Sequence, residues 1–88
     1  MAVKEKEKTY VDEDIPILRK LMLYNSQHIW DDVIFQLQKA TGFDMVHCEQ
    51  IAIIAHTKGK AVVKSGNYPE LKKIDVILRE IHLLTEIQ

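Results

Sequence analysis

The feature that most constrains the fold is an apolar run, Ile51-Ala52-Ile53-Ile54-Ala55, followed four residues later by Gly59 and then by a strand pattern. Apolar residues at every position of the run predict a helix that is central and buried. We expect Asp44 to cap this helix, which extends to about Thr57 and stops at Gly59. The alternation of Lys60 to Lys64 predicts a short strand.

The segments before this helix predict a strand and a second helix. Residues 17–24 are short and apolar and are bounded by turn residues, which is typical of a strand. Asn25 or Ser26 is available to cap the helix that follows, which ends at Gly42. Its apolar stripe is Trp30, Val33, Ile34 and Leu37. Its predicted outward side chains are Asp31, Asp32, Gln36 and Lys39.

The segments after the strand predict a turn at residues 65–67, a third helix and a last strand. Pro69 suits the first turn of the helix, and residues 82–87 form the strand. The helix buries Leu71, Ile74, Leu78 and Ile81. Its outer face carries Lys72, Lys73, Asp75, Arg79 and Glu80. The order β-α-α-β-α-β predicts an α+β sandwich with three helices on one face of a three-stranded sheet.

Composition limits the domain count and the class of partner. Eighty-eight residues make one domain. Residues 1–14 are charge-dense and predict a flexible N-terminal arm, so the domain spans 15–88. The formal net charge of -1 indicates no nucleic-acid partner. No apolar stretch approaches the roughly 20 residues of a membrane span. One cysteine fits a reducing, cytoplasmic location.

Motifs for catalysis and metal binding are missing from the sequence. It has no GxSxG, and three scattered glycines cannot form a phosphate-binding loop. Cys48 lies mid-helix among apolar residues, which favours an inert thiol over a nucleophile. No two histidines have the i, i+4 spacing of a helical metal site. We therefore predict a binding module without cofactor or metal, not an enzyme.

A few polar residues remain open to more than one interpretation. Asp31 and Asp32 either compensate the dipole at the start of a helix or recognise a positively charged ligand group. His56 closes the end of the apolar helix, and Trp30 heads the preceding one. Each is either an ordinary packed side chain or part of a site beside the loop at Asn25.

The segment IAIIAHTKGKAVV, residues 51–63, resembles the ClpS family of Clp-protease adaptors. In that family a buried helix ends in a histidine, and Gly-Lys-Ala and a short strand follow after two further residues. KLMLYN, residues 20–25, is similar to the family's first strand with its terminal asparagine. The element order also fits that family and the C-terminal domain of the ribosomal stalk protein. The resemblance covers roughly residues 17–87.

The resemblance implies an adaptor that binds the first residue of a doomed protein and delivers that protein to a Clp-type AAA+ unfoldase. An apolar pocket takes a bulky side chain (Leu, Phe, Tyr or Trp), and polar groups hold the free α-amino group. Asn25 supplies an amide oxygen, His56 a ring nitrogen, and Trp30 gates the pocket. The implied degron-binding residues are Asn25, Gln27, His28, Trp30, Val33, Ala52, Ala55, His56 and Leu83.

The sequence departs from the family beside the asparagine. Ser26 and Gln27 replace two aspartates, one of which pairs with the α-amino group, and the loop is about one residue shorter. Such a charge-assisted hydrogen bond is worth about 1.5–3 kcal/mol, or roughly tenfold to a hundredfold in affinity. Asp31 or Asp32 could substitute for it. The alternative is a divergent relative without degron binding, its pocket filled by Trp30.

The resemblance also implies a separate unfoldase-binding surface near the start of the third helix. Glu70, Lys72 and Lys73 are its candidates, and an ordinary solvated helix face is the alternative. The N-terminal arm would engage the unfoldase during delivery. Fold analogy alone supports a third hypothesis, a ribosome-stalk-like module that recruits factors.

Overall fold

A computed structural model describes residues 18–88 as three strands and three helices. They follow one another as β1 Arg19–Tyr24, α1 Trp30–Thr41, α2 Met45–Lys58, β2 Lys60–Gly66, α3 Tyr68–Leu78, a 3-10 turn Arg79–Ile81 and β3 Thr85–Ile87. The predicted α+β sandwich, with its β-α-α-β-α-β order, is confirmed. The predicted arm, residues 1–14, lies outside the described residues.

The sheet is antiparallel throughout, with β1 in the centre between β2 and β3. The register of β1 against β2 shifts between Leu21 and Met22, which marks a β-bulge. Buried side chains of the sheet and the helices form one apolar cluster. Its members are Leu21, Leu23, Ile34, Leu37, Cys48, Ile51, Ala52, Ala55, Ala61, Val63, Leu71, Ile74, Leu78 and Leu83.

Most helix ends follow from local side-chain chemistry. The Asp44 side chain accepts a hydrogen bond from the backbone N–H of His47, so the predicted cap of α2 is confirmed. Gly42 and Gly59 end α1 and α2 with φ of 77° and 91°, which glycine adopts without a Cβ clash. The predicted cap of α1 is wrong, because its N-cap is Ile29, with no side-chain hydrogen bond.

Burial differs from the sequence prediction on all three helices. On α3, Asp75 was predicted to face outward but is 2% exposed. Helix α2 is not buried on all sides, since Ile53 and Ile54 are 40% and 42% exposed. Gln36 was predicted to face outward but is buried, and it donates to the Ile77 carbonyl at 2.6 Å and to Glu80 at 3.0 Å. It thereby joins α1 to the end of α3.

Strand boundaries near the C-terminal end also differ. Strand β2 continues to Gly66, through residues that predicted a turn. The last strand begins at Thr85 and not at His82, because residues 79–81 form a 3-10 turn and His82 has a left-handed φ of 62°. The segment between them places Leu83 in the core.

The buried thiol of Cys48 gives a first testable prediction. The side chain has no exposed surface, and burial raises the pKa of the Cys48 thiol by penalising the thiolate. Because the thiolate is the reactive form, we expect an alkylating reagent to label the protein only after unfolding in urea. Mass spectrometry of native and unfolded samples measures this, and rapid labelling of the native protein would contradict it.

Candidate functional site

A cavity opens where the end of β1, the start of α1 and the end of α2 meet. Its volume is about 160 Å³. Apolar walls and polar groups both contribute to its surface. It is lined by Leu23, Tyr24, Asn25, Ser26, His28, Trp30, Val33, Ala52, Ala55, His56 and Leu83.

Backbone hydrogen bonds hold the loop after β1 beside the end of α2. The Asn25 N–H donates to the Gly59 carbonyl at 3.0 Å, and the Tyr24 N–H donates to the Leu84 carbonyl at 2.8 Å. Gly59 ends the helix that carries His56. The bond at Asn25 therefore brings together two polar residues that are 31 positions apart in the sequence.

The side chains of Asn25 and His56 have unused hydrogen-bonding capacity. Neither makes a side-chain hydrogen bond to any other residue within 18–88, and both are exposed at the cavity. An amide oxygen and a neutral imidazole nitrogen can each accept a hydrogen bond. The rim of the cavity can thus receive a ligand group that donates several hydrogen bonds.

Trp30 forms one wall of the cavity. Its ring meets the His56 ring edge to face, with centroids 6.4 Å apart and an interplanar angle of 87°. The side chain is 41% exposed, so it stands at the entrance beside the open volume. Trp30 is therefore placed to limit access and to orient His56.

Ser26 and His28 form a hydrogen-bonded pair in the same loop. Ser26 Oγ lies 2.7 Å from His28 Nδ1, and His28 Nε2 lies 2.5 Å from the carbonyl oxygen of Ile81. Both contacts are partly buried. They connect the cavity loop to the 3-10 turn that precedes Leu83, another wall residue.

Among residues 18–88, no acidic side chain lines the cavity. Asp31 lies on a neighbouring depression with Glu49, and neither Asp31 nor Asp32 reaches the cavity. The phenol of Tyr24 donates to Glu86 at 2.5 Å. This hydrogen bond raises the pKa of Tyr24 and lowers that of Glu86, so the pair keeps the Tyr24 proton and directs the carboxylate to the phenol.

The structure brings together eight of the nine residues that were predicted for the degron site. Gln27 is the ninth, and it does not line the cavity. Leu23 and Tyr24 line it without having been predicted; their position directly before Asn25 was the available signal. Ser26 was predicted as a possible helix cap and as a departure from the family, and it also lies at the cavity.

The candidates for the unfoldase surface lie on the first half of α3. Glu70 pairs with Lys64 at 2.6 Å, and Lys72 lies 3.8 Å from Asp75. Lys73 is exposed and has no ion pair within the part of the chain that the structure describes. These three residues are separate from the cavity.

Residues 18–88 hold neither a cluster of metal-ligating side chains nor a helix fit to span a membrane. Among these residues, no cluster of three or more His, Cys, Asp or Glu side chains is arranged to hold a metal ion. None of the helices between these positions has both the length and the apolar character that crossing a bilayer requires.

Comparison with known proteins places the chain in a family. The family model described as ATP-dependent Clp protease adaptor protein ClpS matches residues 16–81. The chain belongs to the ClpS family. The role of this family is that of a Clp protease adaptor, and it is not a family of enzymes.

A solved structure of the ClpS family has the same fold. It is Agrobacterium tumefaciens ClpS2 bound to L-phenylalaninamide. The match has a TM-score of 0.78 at 18% sequence identity and covers 84% of this chain and 98% of the other. A comparison with curated protein sequences finds no match.

Proposed function

We propose that this ClpS-family chain is a cytoplasmic adaptor that binds N-degrons. It takes the bulky first residue of a substrate protein into the cavity and delivers the substrate to a Clp-type AAA+ unfoldase. The observation that carries this proposal is the cavity of about 160 Å³ with Asn25 and His56 at its rim.

The size of the cavity supports a bulky apolar side chain as its occupant. Its volume is about 160 Å³, and an engineered cavity of about 150 Å³ in another protein binds benzene. Helix α2 contributes Ala52 and Ala55 to the cavity wall, and these small side chains leave the space open. A benzyl or isobutyl group fits this volume, so Phe and Leu are the first residues that the cavity suits best.

The polar rim supports recognition of a free α-amino group. An ammonium group carries only hydrogen-bond donors, and the Asn25 amide oxygen and a His56 ring nitrogen can accept from it. L-Phenylalaninamide, the ligand in the ClpS2 structure, has the free amine, the benzyl side chain and the amide that a peptide beginning with Phe presents. The same combination of groups matches the cavity described above.

Delivery would use a surface away from the cavity. Lys73, exposed on α3, and the Lys64–Glu70 pair next to it form a charged patch that a partner domain could contact. The family match supports a Clp unfoldase over a ribosomal partner, because the ribosome-stalk hypothesis rested on fold analogy alone.

Peptide titration tests the proposal. We expect a peptide with a free N-terminal Phe to bind at least about a hundredfold more tightly than its N-acetylated form, since acetylation removes the charge and leaves a single N–H donor. The emission of Trp30, the only tryptophan, reports binding at the cavity without a label. The chain should also accelerate degradation of a reporter beginning with Phe by a Clp unfoldase and its protease.

Equal binding of the free and acetylated peptides would contradict degron recognition. A peptide beginning with Ile serves as the control for shape, because a branch at Cβ adds bulk where the side chain enters the cavity beside Trp30.

A second candidate function follows from the lack of a carboxylate among the described residues that line the cavity. A divergent adaptor would keep the unfoldase partner but would not bind N-degrons. Capture of a Clp unfoldase by the chain, together with no binding of either peptide, would favour this candidate over the first.

A further inference from the structure

A chain of two hydrogen bonds runs from the cavity into the end of α3. It links Ser26 Oγ to His28 Nδ1 at 2.7 Å, and His28 Nε2 to the Ile81 carbonyl at 2.5 Å. Ser26 and His28 both line the cavity. Both ring nitrogens of His28 already have hydrogen-bond partners, so only Ser26 can form a further hydrogen bond to a ligand.

The Ile81 end of the chain determines which atoms carry protons. A backbone carbonyl can only accept, so His28 Nε2 must carry the hydrogen. In the neutral ring Nδ1 then holds a lone pair, and the Ser26 hydroxyl donates to it. Once its hydrogen is used in this way, Ser26 Oγ presents only lone pairs to its surroundings.

We propose that Ser26 Oγ is an acceptor for the substrate's α-amino group and that His28 is a positioning residue that holds it in this role. The proposal rests on the proposed function, since it concerns the same cavity. It assigns a partner for the third ammonium hydrogen, beside Asn25 and His56, at a rim to which residues 18–88 contribute no carboxylate. A hydroxyl that cannot turn its hydrogen toward the ligand favours a donor such as ammonium over an acceptor.

The Ile81 contact also sets the position of this loop. Ile81 is the last residue of the 3-10 turn, and the wall residue Leu83 follows two positions later. His28 therefore joins the loop that carries the acceptor to the segment that carries part of the apolar wall. Its side chain acts on the ligand through Ser26 and not by direct contact.

A double-mutant cycle tests both assignments with the full chain and the Phe peptide. We expect Ser26→Ala to weaken binding about tenfold, as for loss of a hydrogen bond to a charged group. His28→Phe should weaken binding about threefold to tenfold in the wild type. In the Ser26→Ala background it should add less than about twofold, because its effect passes through Ser26.

Two further variants complete the design. His28→Asn carries an amide oxygen close to the position of Nδ1 and should bind more tightly than His28→Phe, since it can still accept from Ser26. Ser65→Ala is the matched control; Ser65 is exposed on β2, pairs with Lys20 and lies outside the cavity lining. It should bind as the wild type does.

The outcomes separate this proposal from the proposed function. If the wild type binds the Phe peptide and Ser26→Ala binds it with the same affinity, the role of Ser26 is overturned and the proposed function stands. If His28→Phe weakens peptide binding by the same factor in the wild type and in the Ser26→Ala background, the positioning role of His28 is overturned. Failure of the wild type to distinguish free from acetylated peptide would overturn both. If His28→Phe does not fold, the cycle is run with His28→Ala, which also lacks an acceptor for the Ser26 hydroxyl and should show the same dependence on Ser26.

Discussion

Replacing Ala55 by Leu is expected to abolish most peptide binding without destabilising the protein. Ala55 is 4% exposed and forms part of the cavity wall, so the three carbons that Leu adds extend into empty volume. The cavity then lacks room for a phenyl ring. Burial of a Phe side chain is worth about 1.5–3 kcal/mol, so its loss weakens binding by about tenfold to a hundredfold.

Although Ala55→Leu should weaken peptide binding, it should raise the stability of the protein. Filling a void adds apolar contacts, and such changes commonly raise the free energy of unfolding by about 0.5–2 kcal/mol. Peptide titration and urea unfolding measure the two effects on one sample. Gln50→Leu puts the same side chain on the exposed face of α2 and should leave binding unchanged. Loss of both binding and stability would show that the cavity cannot take the side chain.

The largest stability effect is expected for Asp75→Ala. This carboxylate is 2% exposed; it accepts from the Thr85 hydroxyl and pairs with Arg79 Nε at 3.0 Å. It therefore fastens β3 to α3. Its removal leaves the partly buried Thr85 hydroxyl and the Arg79 side chain without their shared hydrogen-bond acceptor. We expect a loss of about 2–3 kcal/mol in the free energy of unfolding.

Thermal unfolding measures this effect. For a domain of this size the loss corresponds to a melting temperature lower by roughly 10–20 °C. Asp32→Ala removes the same charge from an exposed position in the first turn of α1 and should cost no more than about 1 kcal/mol. Similar losses for the two variants would show that Asp75 contributes no more than a surface charge.

The helix ends and the order of elements could be predicted because their causes are local. Asp44 caps the backbone three residues ahead, and Gly42 and Gly59 take a left-handed φ that suits glycine. Each signal lies within one helical turn of its effect. The α1 cap failed because Asn25 and Ser26 lie four or five residues before the helix, and their loop is held by other contacts.

Burial of polar side chains could not be predicted in the same way. Gln36 follows the polar side of its helix in the sequence, but its partners Ile77 and Glu80 are more than forty residues away. Asp75 is at a position whose i+4 partner, Arg79, suggests a surface ion pair. Only the packing of β3 against α3 encloses it, since Thr85 supplies the contact on the other side.

The candidate site likewise combines residues that the sequence pointed to with contacts that only the structure shows. The resemblance of residues 51–63 to one family drew attention to Asn25 and His56, because HTKGKA follows a helix of small and apolar residues. The spacing of these two residues did not indicate that they lie close together. The hydrogen bond from the Asn25 N–H to the Gly59 carbonyl holds the two segments side by side. Gln27 was placed at the site by its position in the loop, yet its neighbour Ser26 reaches the cavity instead.

The sequence by itself determined the α+β order, the ends of α2 and the family, since these depend on nearby residues and on a contiguous motif. The tertiary structure alone decided that the cavity of about 160 Å³ is open beside Trp30 and not filled by it, and that Ser26 Oγ lies next to His28 Nδ1 at this cavity. The physical reason is that volume and proton placement depend on atoms distant in the chain, such as the Ile81 carbonyl that sets the His28 tautomer.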